Sequence, residues 1–359
     1  MIEKENIEDF AKTLREKTKG LKPISAQLEM TYRCDLDCVH CYCKNYMDGD
    51  EISIEQWKNI LDQLYSAGCL YLTFTGGEPF LKKGFLEAYD HAKKKGFIIT
   101  VFSNGMSLTD ADIEYLAKCP PFSIEITVHA MDKDVFDSIS GQKGSFELVM
   151  KNIKKLVDAK VQVIIKTVIL KENKNEIFKV KKFAEELLGP KKFKTDSFII
   201  PTLTGDTTPC EHRLSPKEIQ NIEESDVDMI MQREEQFQKH TPMMRDIKYK
   251  YHCNSWFNQV FISPSGKLKF CHISKHYTYD LTKVPLEEAF YINFPSIWEE
   301  ENHHYYKCMT CELREYCHYC PARAYLETGD EYSSVEYYCE LAKLRKERHE
   351  RSNRMRESE

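Results

Sequence analysis

The chain has 359 residues, of which 30% are charged, and its formal net charge is −6. This length allows one large domain with an appendage, or two to three smaller domains. The charge balance argues against a nucleic-acid partner. No run approaches the roughly 18 apolar residues of a membrane span, and the start "MIEKENIEDFAKTLREK" has no apolar signal-peptide core. We therefore expect a cytoplasmic protein without a nucleic-acid or membrane partner.

Short β-rich runs alternate with amphipathic helical segments, after a charged surface helix predicted within residues 3–18. The predicted strands are 26–31, 70–75, 97–102, 123–128, 161–168 and 195–200. The predicted helices between them are 54–67, 84–95, 109–118, 146–158 and 174–188, the first with a capping box formed by Ser53 and Gln56. This alternation predicts an α/β fold in which a parallel sheet curves into a partial (β/α)6 TIM-like barrel.

The remaining segments follow a different pattern. A turn-rich bridge at 201–250 includes a charged helix predicted at 215–239, and a tail at 343–359 forms a mixed-charge helix. Between them, residues 251–342 hold many cysteines and tyrosines with little periodicity, as expected where metal ligation organises the chain. The predicted organisation is an extension at 1–23, a barrel at 24–200, the bridge, a cysteine-rich C-terminal domain and the tail.

Fourteen cysteines are unusual in a reducing cytoplasm, where metal ligation or redox chemistry explains them better than disulfides do. Three of them lie in "CDLDCVHC" at 34–41, and seven lie in the last third of the chain. We expect the other four to be ordinary small apolar residues; they are Cys43, Cys69, Cys119 and Cys210.

The unusual loop residues all follow predicted strands. "CDLDCVHC" follows the first strand, "GGEP" the second and "SNG" the third, while His129 ends the fourth. Catalytic groups of parallel barrels sit in the loops after the carboxyl ends of the strands. These loops are therefore predicted to meet at one rim of the barrel.

The first cysteine set has a spacing that suits a metal cluster. Cys34, Cys38 and Cys41 present three thiolates on one short loop, whereas a [4Fe–4S] cluster usually takes four cysteines. One iron would then be open to an exchangeable ligand. The alternative is a zinc site completed by His40 or Cys43.

The CxxxCxxC motif after the first strand, together with GGEP after the second, resembles the radical S-adenosylmethionine (radical SAM) superfamily over about residues 24–200. The resemblance implies that Cys34, Cys38 and Cys41 hold a [4Fe–4S] cluster and that S-adenosylmethionine completes the open iron. Reduction by an external flavodoxin- or ferredoxin-like donor would then yield a 5′-deoxyadenosyl radical that takes a hydrogen atom from the substrate.

The same resemblance assigns cofactor contacts. The "GGEP" backbone and the Glu78 carboxylate would meet the cofactor's amino group, Asn104 would lie near its ribose, and Thr127 would serve it from strand four. Lys166 on strand five would meet its carboxylate, although a solvated strand-end lysine is the alternative. The full predicted set is Gly76, Gly77, Glu78, Pro79, Asn104, Thr127 and Lys166.

The late cysteines resemble the SPASM extension of radical SAM enzymes, with Gly266 and Cys271 matching its GxxxxC element. The resemblance implies a C-terminal domain with two auxiliary iron–sulfur clusters, both expected to be [4Fe–4S]. The outer cluster would use Cys308, Cys311, Cys317 and Cys339, and the inner one Cys253, Cys271 and Cys320. The inner set lacks a fourth cysteine, which His252 or His272 could replace, and two structural zinc sites are the alternative for the region.

The resemblance as a whole implies an enzyme that abstracts hydrogen from a peptide or protein, leading to a thioether or carbon–carbon crosslink or to epimerisation. One alternative is maturation of a sulfatase by oxidation of cysteine or serine to formylglycine, which needs a base for which His129 is one candidate. Others are cofactor biosynthesis through a peptide precursor, and a non-enzymatic electron carrier or zinc module.

Overall fold

The computed structural model describes residues 21–231, 249–251, 258–301, 306–317 and 319–357. Within these residues, nine strands form one sheet in the order β6-β5-β4-β3-β2-β1-β7-β8-β9. The strands are β1 Ser25–Glu29, β2 Tyr71–Thr75, β3 Ile98–Ser103, β4 Ser123–Thr127, β5 Val163–Val168, β6 Phe193–Asp196, β7 Gln259–Ile262, β8 Lys267–Lys269 and β9 Thr278–Asp280. Strands β1 to β6 are parallel to one another, as predicted.

Helices connect the parallel strands and continue after them. They are α1 Ile54–Ser66, α2 Phe85–Lys95, α3 Asp110–Lys118, α4 Lys133–Ser140, α5 Ser145–Asp158, α6 Ile177–Leu188, α7 Pro216–Glu224, α8 Leu286–Glu288, α9 Phe294–Trp298, α10 Pro321–Thr328 and α11 Glu336–Glu357. The predicted capping box is present, because Ser53 accepts from the Gln56 amide while the Gln56 side chain accepts from the Ser53 amide. No described helix is both long enough and apolar enough to span a membrane.

The main core lies between the sheet and α1 to α5. Leu28, Phe74, Val101 and Ile126 on the strands are fully buried, as is Trp57 on α1. Burial alternates along most of these strands, and β3 and β5 are buried at every second residue, so one face of the sheet packs against the helices.

Three elements differ from the sequence predictions. Strand β6 ends at Asp196, because the apolar run that follows packs as irregular chain, with Ile199 against Ile139 and Leu170. Helix α4 was not predicted, although Asp132 caps it. Of the charged helix predicted at 215–239, the first part is present as α7, which ends at Glu224. Residues 232–239 lie outside the described residues. The helix predicted at 3–18 also lies outside them.

The cysteine-rich region begins as a continuation of the barrel sheet. Strand β7 pairs in parallel with β1, with Ser25 opposite Gln259, and β8 and β9 follow in antiparallel order. Gly266, at φ +77°, forms the turn between β7 and β8, and Cys271 follows β8. This arrangement brings the first described late cysteine to the barrel.

Candidate functional site

The loops at the carboxyl ends of the parallel strands enclose one cavity of about 450 Å³. The prediction that these loops meet at one rim is therefore confirmed. Eight of the predicted site residues line the cavity: Cys34, Cys38, Cys41, Gly76, Gly77, Asn104, Thr127 and Lys166.

The cysteine loop is held by the end of α4. The amide of Asp37 donates to the Ser140 carbonyl at 2.9 Å, and the amide of Val39 donates to the Ile139 carbonyl at 3.0 Å. Gly141, at φ +68°, ends α4 so close to this loop that a Cβ atom would lie 2.6 Å from the Asp37 carbonyl oxygen. The segment "SISG" at 138–141 thus fixes the position of the loop that carries the three thiols.

The glycine pair lets the loop after β2 pack directly on the loop after β1. A Cβ atom on Gly76, at φ +135°, would lie 2.2 Å from the Thr31 carbonyl oxygen, and one on Gly77 would lie 2.3 Å from that of Arg33. In return, the Gly77 amide donates to the Thr31 carbonyl at 2.7 Å. Any side chain here would push the two loops apart.

Glu78 is fully buried and is not among the residues that line the cavity. Its carboxylate accepts from the Ser103 hydroxyl at 3.0 and 3.1 Å, from the Asn104 amide at 2.8 Å and from the Phe80 amide at 3.2 Å. Burial raises the pKa of Glu78 to about 8 despite these donors. In the structure the carboxylate thus fixes the loop after β3, while its predicted contact with the cofactor's amino group stays a prediction. Pro79, also buried, begins a short 3₁₀ turn.

The Asn104 side chain is tied to the cysteine loop, through contacts that the sequence did not reveal. Its Nδ2 atom donates to Asp35 Oδ1 at 2.7 Å and lies 3.5 Å from Cys34 Sγ. The second oxygen of Asp35 accepts from the hydroxyl of Ser107. Polar loop residues far apart in sequence give no local signal of such pairing.

Lys166 and Thr127 lie side by side on neighbouring strands of the cavity wall. The Lys166 ammonium lies 3.3 Å from Glu125 Oε2 and 3.4 Å from the centre of the Phe102 ring, and Lys194 binds the other Glu125 oxygen at 2.6 Å. Burial lowers the pKa of Lys166. Lys166 is therefore a paired cation of the cavity wall, where two ammonium groups share the Glu125 carboxylate and Asp196 contributes a second negative charge.

Two histidines lie behind the cysteine loop. His129, only 2% exposed, has its Nε2 atom 3.8 Å from Cys38 Sγ, and its ring meets that of His40 edge-on at 5.3 Å. Burial lowers the pKa of His129 well below its usual range. Its predicted role as a base stays a prediction.

The four predicted outer-cluster cysteines influence one another electrostatically, although no described group of three or more His, Cys, Asp or Glu side chains is arranged to hold a metal ion. Burial raises the pKa of the Cys308 thiol to about 11, with further contributions from the charges of Cys339 and Cys311. It raises the pKa of Cys317 to about 12, with contributions from the same two residues and from Cys308. Mutual perturbation of this kind requires short separations.

Two cysteines of the predicted inner set lie near the first cysteine loop. Cys271 and Cys320 pack against a buried apolar cluster that also contacts Cys41 and contains Cys43. His272, beside Cys271, lines the cavity. Cys253 and His252, assigned to or considered for the inner cluster, lie outside the described residues.

Two further features of the site were not predicted. Arg323, on α10, lines the cavity with its guanidinium 4.9 Å from the ring centre of Phe198. Glu29, at the end of β1, is 2% exposed and accepts from the hydroxyls of Tyr32 at 3.0 Å and Tyr42 at 2.9 Å. A carboxylate within the apolar run "AQLEMT" was the available signal for the second feature.

Comparison with known proteins identifies the domain. Residues 28–184 match the family described as "Radical SAM superfamily". This segment of the chain is therefore a radical SAM domain. The match includes the cysteine loop, the glycine pair and the strands that carry Asn104, Thr127 and Lys166.

Several curated proteins are similar to the chain. It is 36% identical over 156 residues to the sporulation killing factor maturation protein SkfB of Bacillus subtilis, covering 43% of the chain and 38% of SkfB. It is 28% identical over 261 residues to the antilisterial bacteriocin subtilosin biosynthesis protein AlbA of the same organism, covering 69% of the chain and 55% of AlbA. It is also 26% identical over 345 residues to the AdoMet-dependent heme synthase of Methanosarcina barkeri, covering 87% of the chain and 94% of that protein.

Among solved structures, SuiB of Streptococcus suis bound to S-adenosylmethionine shares the fold of the chain. The TM-score is 0.69 at 18% identity, and the match covers 93% of the chain and 81% of SuiB. SuiB has also been solved with its precursor peptide SuiA. The likeness confirms the predicted partial barrel with a cysteine-rich C-terminal region.

A radical SAM domain implies a [4Fe–4S] cluster and S-adenosylmethionine, and the cavity residues fit both. Three thiols from one loop are the ligand type that such clusters take. The cavity volume of about 450 Å³ falls in the range of small-molecule sites. The glycine backbone and the Lys166 ammonium suit the polar groups of an amino-acid cofactor.

Proposed function

We propose that this chain is a radical SAM enzyme that modifies a peptide or protein substrate as a peptide maturase. The observation that carries the proposal is that a single cavity contains the thiols of Cys34, Cys38 and Cys41 together with Asn104 and Lys166. Bound there, the cluster and S-adenosylmethionine supply reductive cleavage of the cofactor and hydrogen-atom abstraction.

The chain's own residues hold and orient these groups. The three cysteines bind the cluster, and the exposed backbone of Gly76 and Gly77 meets the amino group of the cofactor. Glu78 and Pro79 shape that loop from behind the cavity wall. Thr127 and Asn104 face the ribose, and Lys166 pairs with the carboxylate.

We further propose that the C-terminal region holds two auxiliary iron–sulfur clusters. The mutual electrostatic influence of the outer cysteines, and the packing of Cys271 and Cys320 on a cluster that also contacts Cys41, support the predicted partition. Cys253 completes the inner set in this proposal. An external flavodoxin- or ferredoxin-like protein supplies the electron.

The peptide substrate is supported by the shape of the barrel and by the relatives. A second cavity, of about 490 Å³, shares Thr127, Lys166 and Phe198 with the first and lies along the edge strand β6. An extended segment can therefore enter from the open side of the barrel. SkfB is named for maturation of the sporulation killing factor and AlbA for biosynthesis of the bacteriocin subtilosin, and SuiB has been solved bound to the precursor peptide SuiA.

Heme synthesis is a second candidate, because the chain matches almost the whole length of the AdoMet-dependent heme synthase. The two candidates differ in substrate. A peptide maturase takes hydrogen from amino-acid residues, whereas a heme synthase acts on a tetrapyrrole.

The test uses the full chain reconstituted anaerobically with iron and sulfide, reduced with dithionite and supplied with S-adenosylmethionine. We expect 5′-deoxyadenosine to form, and the Cys34/Cys38/Cys41 triple-alanine variant to form none while keeping its C-terminal iron. A pool of perdeuterated peptides should then transfer deuterium into the 5′-deoxyadenosine, and an iron-free tetrapyrrole should not stimulate turnover. Stimulation by the tetrapyrrole alone would favour heme synthesis, and equal product from the triple variant would exclude the cysteine loop as the site.

A further inference from the structure

The Asn104 amide group is fully oriented by its neighbours. Its Oδ1 atom accepts from the Met106 amide at 2.8 Å, and Nδ2 donates to Asp35 Oδ1 at 2.7 Å. Since the Met106 amide can only donate, the oxygen of Asn104 must face it. The amide therefore has one orientation, with its NH₂ group toward the cysteine loop.

The second hydrogen of this NH₂ group points to sulfur. Nδ2 lies 3.5 Å from Cys34 Sγ, so Asp35 and Cys34 together take both donors. Cys34 receives one other donor, the Leu36 amide, at 3.5 Å. The sulfur of Cys34 thus has one hydrogen bond from the backbone of its own loop and one from a distant side chain.

The position of Asn104 is itself fixed from both sides. Its backbone amide donates to the buried carboxylate of Glu78 at 2.8 Å. Asp35, which accepts from the side chain, is held through its other oxygen by the hydroxyl of Ser107. Glu78 and Asp35 are therefore positioning residues for the Asn104 amide.

We propose that Asn104 raises the reduction potential of the cluster held by Cys34, Cys38 and Cys41 through an N–H···S hydrogen bond to Cys34. This inference rests on the proposed function, which places the cluster on these cysteines. Hydrogen bonds to cluster sulfurs stabilise the more negative, reduced state, and groups next to the ligands are a main means of tuning a metal centre. Asn104 makes one-electron reduction easier before the cofactor binds.

A contact between Asn104 and the cofactor's ribose uses the same amide group, and the two roles predict different results. The ribose contact alone changes the affinity for S-adenosylmethionine and leaves the potential of the cofactor-free cluster unchanged. The N–H···S bond changes that potential without any cofactor present.

The experiment is a potentiometric titration of the reconstituted full chain without S-adenosylmethionine, followed by electron paramagnetic resonance. The triple-alanine variant of the three cysteines supplies the auxiliary-cluster spectrum, which is subtracted. For Asn104→Ala we expect reduction to become about tenfold less favourable, which equals a midpoint lower by about 59 mV for one electron. Asn104→Asp, which keeps the acceptor for Met106 but has no N–H donor, should shift the midpoint in the same direction if the alanine variant does not fold.

Ser107→Ala is the matched control, because it loosens Asp35 without removing the N–H···S bond. Because the donor stays in place while its support is loosened, we expect its midpoint to fall by less than that of either Asn104 variant. An unchanged midpoint in either Asn104 variant with a full complement of iron, or an equal shift in the Ser107 variant, would overturn the inference. Absence of any signal difference between the wild type and the triple-alanine variant would instead overturn the proposed function.

Discussion

Replacing Gly141 by alanine tests how the cysteine loop is held, and Gly144, three residues later in the same connection between α4 and α5, provides a matched control. Both glycines have positive φ, +68° and +83°, so alanine at either position carries a left-handed backbone cost of about 1–2 kcal/mol. Only Gly141 has a neighbour, since its new Cβ atom would lie 2.6 Å from the Asp37 carbonyl oxygen, whereas that of Gly144 would meet nothing within 4 Å.

The extra contact sets the expected difference between the two variants. Relieving such an overlap costs about 1–3 kcal/mol, and here it requires the cysteine loop to move. At about 2 °C per kcal/mol for a chain of this size, Gly144→Ala should lower Tm by about 2–4 °C and Gly141→Ala by about 4–10 °C. Circular dichroism on cluster-free protein measures both, and iron bound by the cysteine loop after reconstitution should fall only in Gly141→Ala. Equal losses of Tm and of bound iron in the two variants would refute the idea that the end of α4 fixes the cysteine loop.

Three other perturbations have defined outcomes. Glu327→Gln should lower the free energy of unfolding by about 3–5 kcal/mol in chemical denaturation, because it leaves the buried Arg213 guanidinium without the carboxylate that binds it at 2.8 and 2.9 Å. The double variant with Arg213→Met should lose less stability than the two single variants combined, and strict additivity would contradict the coupling. Burial raises the pKa of Glu78 from an ordinary 4.5 to about 8, so the folded state keeps a proton that the unfolded chain releases. Cluster-free protein should therefore lose stability as the pH rises from about 5 to 8. If the same dependence of stability on pH persists in Glu78→Gln, another group is responsible. Cys271→Ala should still cleave S-adenosylmethionine but form no modified peptide, and full turnover would remove the inner set from the mechanism.

The sequence predicted the barrel well because each strand and helix has a local signal. Short β-rich runs indicated the parallel strands, and the capping box at Ser53 indicated the start of α1. The error at β6 arose because Ile199 and Ile200 have strand-like character but are buried by contacts outside the sheet. Local propensity does not distinguish these two kinds of burial.

The site was predicted at the level of its loops rather than its contacts. Spacing alone identified the cysteine loop and the glycine pair, and the cavity brings them together. The link between Asn104 and Asp35 joins residues 69 positions apart, and no pattern within either loop points to the other. Likewise, the burial of Glu78 behind the cavity wall follows from how the β1 and β2 loops pack, which only the folded chain defines.

The parallel pairing of β1 with β7 affects the order in which the protein can fold during synthesis. The two strands meet where Ser25 donates to the carbonyl of Asn258, 233 positions later in the chain. At about 5–20 residues per second, the ribosome needs roughly 10–50 s to make the intervening segment. Throughout that time β1 can pair with β2 on one side, while its other edge waits for a strand not yet translated, exposing unpaired backbone groups of the kind that promote aggregation. The nascent barrel therefore completes its sheet only after the beginning of the cysteine-rich region has left the ribosome.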